Sequence, residues 1–101
     1  MSIIKVSQQE NNLTISIPSR FDSHIIDEFR ASYSELSILD DLTYIIDLAQ
    51  TEYIDSSALG MLLNFQHHVQ ANDGIVCIKN CKPKLKHIFD MSSFTSKFKF
   101  L

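Results

Sequence analysis

"LTYIIDLAQTEYIDSSALGMLL", residues 42–63, sets two hydrophobic periods side by side. Residues 42–49 form a nearly unbroken apolar run. Such a run predicts a central strand covered on both faces, as in a mostly parallel sheet. From Ala58 to Val69 the period changes. Advancing about 100° per residue, Ala58, Leu62, Phe65 and Val69 share one stripe. That spacing predicts a crossover helix packed on the sheet. Between the two lie Asp55, Ser56 and Ser57, in a tight connection at the carboxyl edge of the strand, where open α/β folds place their sites.

Working outward, Leu13, Ile15 and Ile17 alternate with polar residues and pair with "SIIKV" (2–6) in a hairpin turning at Asn11-Asn12. Pro18 ends the second strand by withholding a donor. "RFDSHIIDEFRASYSEL" (20–36) is helical in pattern, with Asp22 or Ser23 able to cap it and Asp27 and Glu28 suiting its first turns. Ile25, Ile26, Phe29, Tyr33 and Leu36 make its buried stripe. On the other side, "NDG" (72–74) stops the crossover helix and "IVCIKN" (75–80) is a further strand. Pro83 suits a helix start, Leu85, Ile88 and Phe89 form a short stripe, and "KFKFL" (97–101) offers a last strand. The expected order is β-β-α-β-α-β-α-β. It describes one α/β domain over residues 1–101, with a mixed, mostly parallel sheet of about five strands and about three helices on one or both faces.

Composition narrows the function classes. A net charge of −3 leaves no basic stripe to neutralise phosphates, so a nucleic-acid partner is not expected. No apolar run is long enough to span a bilayer and the first residues lack the build of a signal peptide, which makes the cytoplasm the expected compartment. Cys77 and Cys81 do not have redox-motif spacing, and Cys77 reads as a small, reduced, buried hydrophobe. His24, His67, His68 and His87 form no i, i+4 pair with a plausible ligand, so neither a metal site nor a cofactor is expected.

The two serines admit two readings. Asp55, Ser56 and Ser57 are all good helix-cap residues, and a cap stabilises a helix by roughly 1 kcal/mol. Opposite the core stripe, however, lie Ser56, Gly60, Leu63 and His67, with Asn64 beside them and Leu59 and Met61 flanking. An apolar strip on the solvent side, starting at a serine, suggests a docking surface.

At these residues the chain resembles the STAS domain family, and within it the stand-alone bacterial anti-sigma factor antagonists. "DSSALG" (55–60), preceded by "IIDLAQTEYI" (45–54), carries the resemblance. "SRFDSH" (19–24) and "KLKHIFDMSSF" (84–94) support it, although Ser19 stands where many members have glycine. The resemblance implies phosphorylation of Ser56 by a partner anti-sigma factor with a histidine-kinase-like serine kinase domain, and reset by a PP2C-type phosphatase. The unphosphorylated protein would bind its partner and free a sigma factor or another regulator. The resemblance matches Asp22 to the family's acidic residue near the partner surface, and Asp55 to the aspartate ahead of the acceptor. With the helix stripe, this makes Asp22, Asp55, Ser56, Ser57, Gly60, Leu63, Asn64 and His67 the expected partner-binding residues.

Two other functions compete. An enzyme would need a base beside the serine, and the chain has no Gly-x-Ser-x-Gly elbow, dinucleotide fingerprint or P-loop, so catalysis is not expected. A non-catalytic STAS subunit of a signalling scaffold or lipid-transport complex is the second. Sensory scaffolds usually carry a further domain, and a transport accessory would not need the full "DSSALG" acceptor.

Overall fold

In the computed structural model, which describes residues 4–34, 42–71, 74–93 and 95–101, the chain winds steadily across one sheet. Strands β1 (Lys5–Gln9) and β2 (Asn12–Ser16) form an antiparallel hairpin, and β4 (Thr43–Asp47), β6 (Ile75–Lys79) and β7 (Lys99–Phe100) add to it in parallel. The order is β1-β2-β4-β6-β7. Helix α1 (Ile26–Ser34) precedes β4, α2 (Ser56–Gln70) joins β4 to β6, and α3 (Pro83–Met91) with a 3₁₀ turn (Thr95–Lys97) joins β6 to β7. Two short strands, β3 (Arg20–Phe21) and β5 (Tyr53–Ile54), pair in parallel as a separate miniature sheet.

Every parallel step moves in the same direction across the sheet. Crossovers of one hand therefore leave their helices on one face. Burial agrees: on β2 and β4, Leu13, Ile15, Tyr44 and Ile46 are buried, while Thr14, Ser16, Thr43, Ile45 and Asp47 between them are half-buried. The expectation of a central strand covered on both faces is therefore corrected. Among the described residues only one face of β4 is buried against helices, and its apolar look comes from Ile45 packing beside Cys77 on the open face, where the two pair in register. Cys77 is a free, buried thiol, as expected, but it stands outside the main core cluster.

Aromatic rings hold α1 and α2 on the sheet. Phe21 packs on Phe29 (centroids 5.3 Å), Phe29 on Phe65 (5.6 Å) and Phe65 on Tyr44 (5.5 Å), the last two edge-to-face. Phe89 meets Phe98 and Phe100 in the same manner and anchors α3. Gly74 is required where α2 hands over to β6: a Cβ there would lie 2.6 Å from Val69 Cγ1 and 2.9 Å from the Leu42 carbonyl oxygen.

Some local expectations shift. The hairpin turns at Glu10–Asn11, with Gln9 paired to Asn12, so Asn12 belongs to β2 rather than to the turn. Glu10 carries the left-handed conformation (φ 55°) that the two-residue loop demands. Helix α1 starts at Ile26, after a turn in which the Ile25 N–H donates to the Asp22 carbonyl. Leu36, Asn72, Asp73 and Phe94, and the side chain of Tyr33, lie outside the described residues.

Candidate functional site

Strand β4 ends at Asp47, and eight residues, 48–55, separate it from α2. Side chains hold that connection in place. The Asp47 carboxylate accepts from the Ala49 N–H and from Asn80 Nδ2, both at 3.0 Å. Thr51 is fully buried, and its hydroxyl donates to the Ile17 and Pro18 carbonyls. Lys82 reaches across from the start of α3 and donates to the carbonyls of Ala49 (2.7 Å) and Thr51 (3.1 Å). The Glu52 and Tyr53 N–H groups both donate to the Ser19 carbonyl, and the Asp55 N–H to the Phe21 carbonyl. Ser19 needs no left-handed backbone for this, which is why serine can stand there.

The consequence is that two loops, 17–25 and 48–56, form one surface at the carboxyl edge of the sheet. Because the strand order never reverses, the helices do not part there over a crevice of the kind that holds nucleotides in doubly wound folds. The edge presents a surface.

Asp55 is the N-cap of α2. Its backbone is extended (φ −104°, ψ 177°), and Oδ1 accepts from the Ala58 N–H at 2.9 Å and the Ser57 hydroxyl at 2.7 Å. The Ser57 hydroxyl is the main influence holding the carboxyl below its ordinary range; against the opposing pull of burial, the Ala58 and Ser23 N–H groups add to it. Through its own N–H, which donates to the Phe21 carbonyl, Asp55 also ties the start of α2 to the segment before α1. Its two serine neighbours differ in consequence. Ser57 spends its hydroxyl on the cap, whereas the exposed Ser56 hydroxyl has no partner among the described residues. Nor do the Ser56 and Ser57 backbone N–H groups, as expected at a helix start. The two sequence readings thus divide between neighbours: Asp55 and Ser57 make the cap, and Ser56 is left over.

Asp22, expected near the partner surface, lies beneath that surface rather than on it. It is 4% exposed, because Oδ2 accepts from Arg20 Nε (3.1 Å) and Oδ1 from the His24 N–H (3.0 Å). Burial alone would raise its carboxyl; the His24 N–H and the Arg20 guanidinium outweigh burial and hold it low. What Asp22 shows to solvent is its partners.

Along α2, Gly60, Asn64 and His67 are exposed, and Leu63 is half-buried and outside the core cluster. Leu59 and Met61 are each 5% exposed and belong to the core. The expected apolar strip is correspondingly narrower, since Leu59 and Met61 widen the buried arc of the helix to either side. From Ser56 to His67 the remaining stripe runs roughly 16 Å at 1.5 Å per residue. Arg20, Tyr53, Thr51 and Lys82 were missed by sequence reading. The local "SRFD" and "TEYI" segments hinted at the first three, of which Arg20 and Tyr53 are brought together by the pairing of β3 with β5, and Lys82 gave no signal beyond its place before Pro83.

Comparison with known proteins agrees with this architecture. The STAS domain family model matches residues 4–101. A STAS-domain containing protein of Pseudomonas aeruginosa (strain UCBPP-PA14) is 37% identical over 93 residues, covering 92% of this chain and 91% of that one. An anti-sigma-factor antagonist (STAS) domain protein from Planctomyces limnophilus superimposes with a TM-score of 0.86 at 15% identity, covering 96% of this chain and 87% of its own. The anti-sigma factor antagonist SpoIIAA, in its unphosphorylated form, gives a TM-score of 0.79 at 18% identity, covering 97% and 87%. The Bacillus cell fate determinant SpoIIAA in its phosphorylated form gives 0.71 at 17%, covering 97% and 90%. At these identities the structural likeness is one of fold, and together with the family model it is decisive on one point: the chain belongs to the STAS domain family.

Proposed function

We propose that this chain is a phosphorylation-switched anti-sigma factor antagonist acting in the cytoplasm. Unphosphorylated, it docks on an anti-sigma factor through the surface around Ser56 and so releases a sigma factor or another regulator. The partner's histidine-kinase-like serine kinase domain phosphorylates Ser56 and ends the contact, and a PP2C-type phosphatase restores it.

The observation that carries this reading is the division of labour at the start of α2. Asp55 and Ser57 cap the helix between them and leave an exposed, unengaged hydroxyl on Ser56. A phosphate there would bring about −1.5 to −2 charges at neutral pH. The open N–H groups and the positive end of the helix can accommodate that charge, so the fold survives. A partner surface packed over Ser56 would have to desolvate a dianion beside Asp55, and docking fails. One solved relative, SpoIIAA, has both an unphosphorylated and a phosphorylated form, which suits the same cycle here.

The test is incubation with purified histidine-kinase-like serine kinases from the native cell and ATP, followed by phosphopeptide mass spectrometry. The expected product carries phosphate on Ser56. Phosphate on Ser57 alone, or none with any such kinase, would contradict the proposal.

A further inference from the structure

Arg20 is held in place unusually firmly for an exposed side chain. It opens β3, paired in register with Tyr53 of β5. Its Nε donates to Asp22 Oδ2 at 3.1 Å, and its guanidinium lies over the Tyr53 ring, 4.5 Å from the centroid. The Asp22 side chain is 6% exposed and would keep only its His24 contacts if Arg20 swung away, so the paired position of Arg20 is favoured, yet the Arg20 side chain is 66% exposed. Only Nε is used. The terminal amino groups have no acceptor among the described residues.

We propose that Arg20 is an anchor of the partner surface, reading a carboxylate of an Asp or Glu on the anti-sigma kinase; this rests on the function proposed above. A guanidinium fork matches a carboxylate in a bidentate pair. Because the ring, the strand pairing and the Asp22 contact already fix the side chain, little entropy is lost when it binds. Tyr53, 43% exposed, adds an aromatic rim, and arginine and tyrosine are the residue types that dominate binding energy at interfaces. Beside them a shallow groove of about 260 Å³, lined by Pro18, Ser19, Arg20, Asp22, His24 and Ile25, has room for an aliphatic side chain. The complementary feature is therefore an acidic residue adjoining an aliphatic one. Asp22 already balances part of the Arg20 charge, so a free small anion gains little, whereas a protein partner gains the ring and groove as well. Asp22 then acts at one remove, by positioning Arg20.

The experiment measures affinity, by calorimetry at two salt concentrations, between the unphosphorylated protein and the purified kinase that phosphorylates Ser56. Arg20→Gln keeps a neutral donor for Asp22 and removes the cation. It should bind about 30-fold or more weakly, with a flatter salt dependence and a melting temperature close to that of the wild type. Arg20→Lys keeps the charge without the fork and should lose roughly tenfold. Tyr53→Ala should also weaken binding, whereas Tyr53→Phe should not. Binding of Arg20→Gln within about twofold of wild type would overturn the inference and leave the proposed function standing. If Arg20→Gln fails to fold, Arg20→Lys decides, and wild-type affinity of that variant overturns the inference equally. A wild type that is bound and phosphorylated by none of the purified histidine-kinase-like serine kinases of the native cell refutes the proposed function, and the inference falls with it.

Discussion

Replacing Lys82 with methionine tests whether the serine-bearing loop is held from the side of α3. The ammonium group donates to two carbonyls, Ala49 at 2.7 Å and Thr51 at 3.1 Å, and lies 3.6 Å from Glu52. Its side chain is 31% exposed, so these bonds are partly screened. The Ala49 carbonyl lies in the open and regains water, so that bond contributes about 0.5–1 kcal/mol; the Thr51 bond, partly buried, contributes about 1–1.5 kcal/mol. Glu52 keeps Lys84 at 2.8 Å, so the lost ion pair adds close to nothing. Methionine retains the apolar stem. The sum is about 2 kcal/mol, and at roughly 4–8 °C per kcal/mol for a domain of this size the melting temperature should fall by about 10 °C. Urea unfolding followed by circular dichroism measures it, with Lys82→Arg expected to recover at least half. Amide exchange at Glu52 and Tyr53, which donate to Ser19, should quicken in Lys82→Met. A loss below about 0.5 kcal/mol would show that Lys82 is an ordinary solvated cation and refute the reasoning.

Asp55 and Asp22 have folded-state pKa values below the unfolded ones, so the stability they contribute is complete above the ordinary aspartate value of 3.8 and is lost as pH falls through it toward the folded values. Asp55→Asn keeps a capping oxygen but should flatten the fall in urea midpoint between about pH 5 and about pH 2; an unchanged acid limb would contradict this. At Gly60 an added Cβ meets nothing within 4 Å, so Gly60→Ala should stabilise α2 by about 0.8–1 kcal/mol while weakening partner binding; a gain in both would remove Gly60 from the interface. Leu63→Asp should cost less than about 1.5 kcal/mol of stability, since Leu63 stands outside the core cluster, and should weaken binding at least tenfold; loss of the fold by circular dichroism would place Leu63 in the core.

The main sheet was legible because its strands and helices have unmistakable periods. Leu13, Ile15 and Ile17, then Ala58, Leu62, Phe65 and Val69, are all buried as their spacing requires. The covering of β4 was misread because sequence cannot distinguish a residue under a helix from one sheltered by neighbours: Ile45 gains its partial burial on the open face beside Cys77. Leu59 and Met61 were placed beside the solvent stripe for a related reason, since the width of a buried arc depends on what flanks the helix. Strands β3 and β5 were invisible, as two residues show no period. With them went the contacts that make the site: Arg20 on Tyr53, Asp22 under Arg20, and the Ser19 carbonyl joining the two loops. Asp55 as the cap of α2 was legible from a six-residue motif; which serine the cap consumes was not, because that depends on one hydroxyl's direction.

The affinity of Ser56→Ala and Ser56→Asp for the kinase partner, set beside their melting temperatures, tests the switch most directly. Neither change touches the Asp55–Ala58 cap, and one negative charge at the start of α2 is favourable by roughly 0.3–1 kcal/mol, so both variants should melt within a few degrees of the wild type. Ser56→Ala should bind as tightly as the unphosphorylated wild type. Ser56→Asp should bind at least about 30-fold more weakly, because a carboxylate would be buried unpaired under the partner. Equal affinity of the two variants, at equal stability, would contradict the account and leave Ser56 an ordinary first residue of a helix.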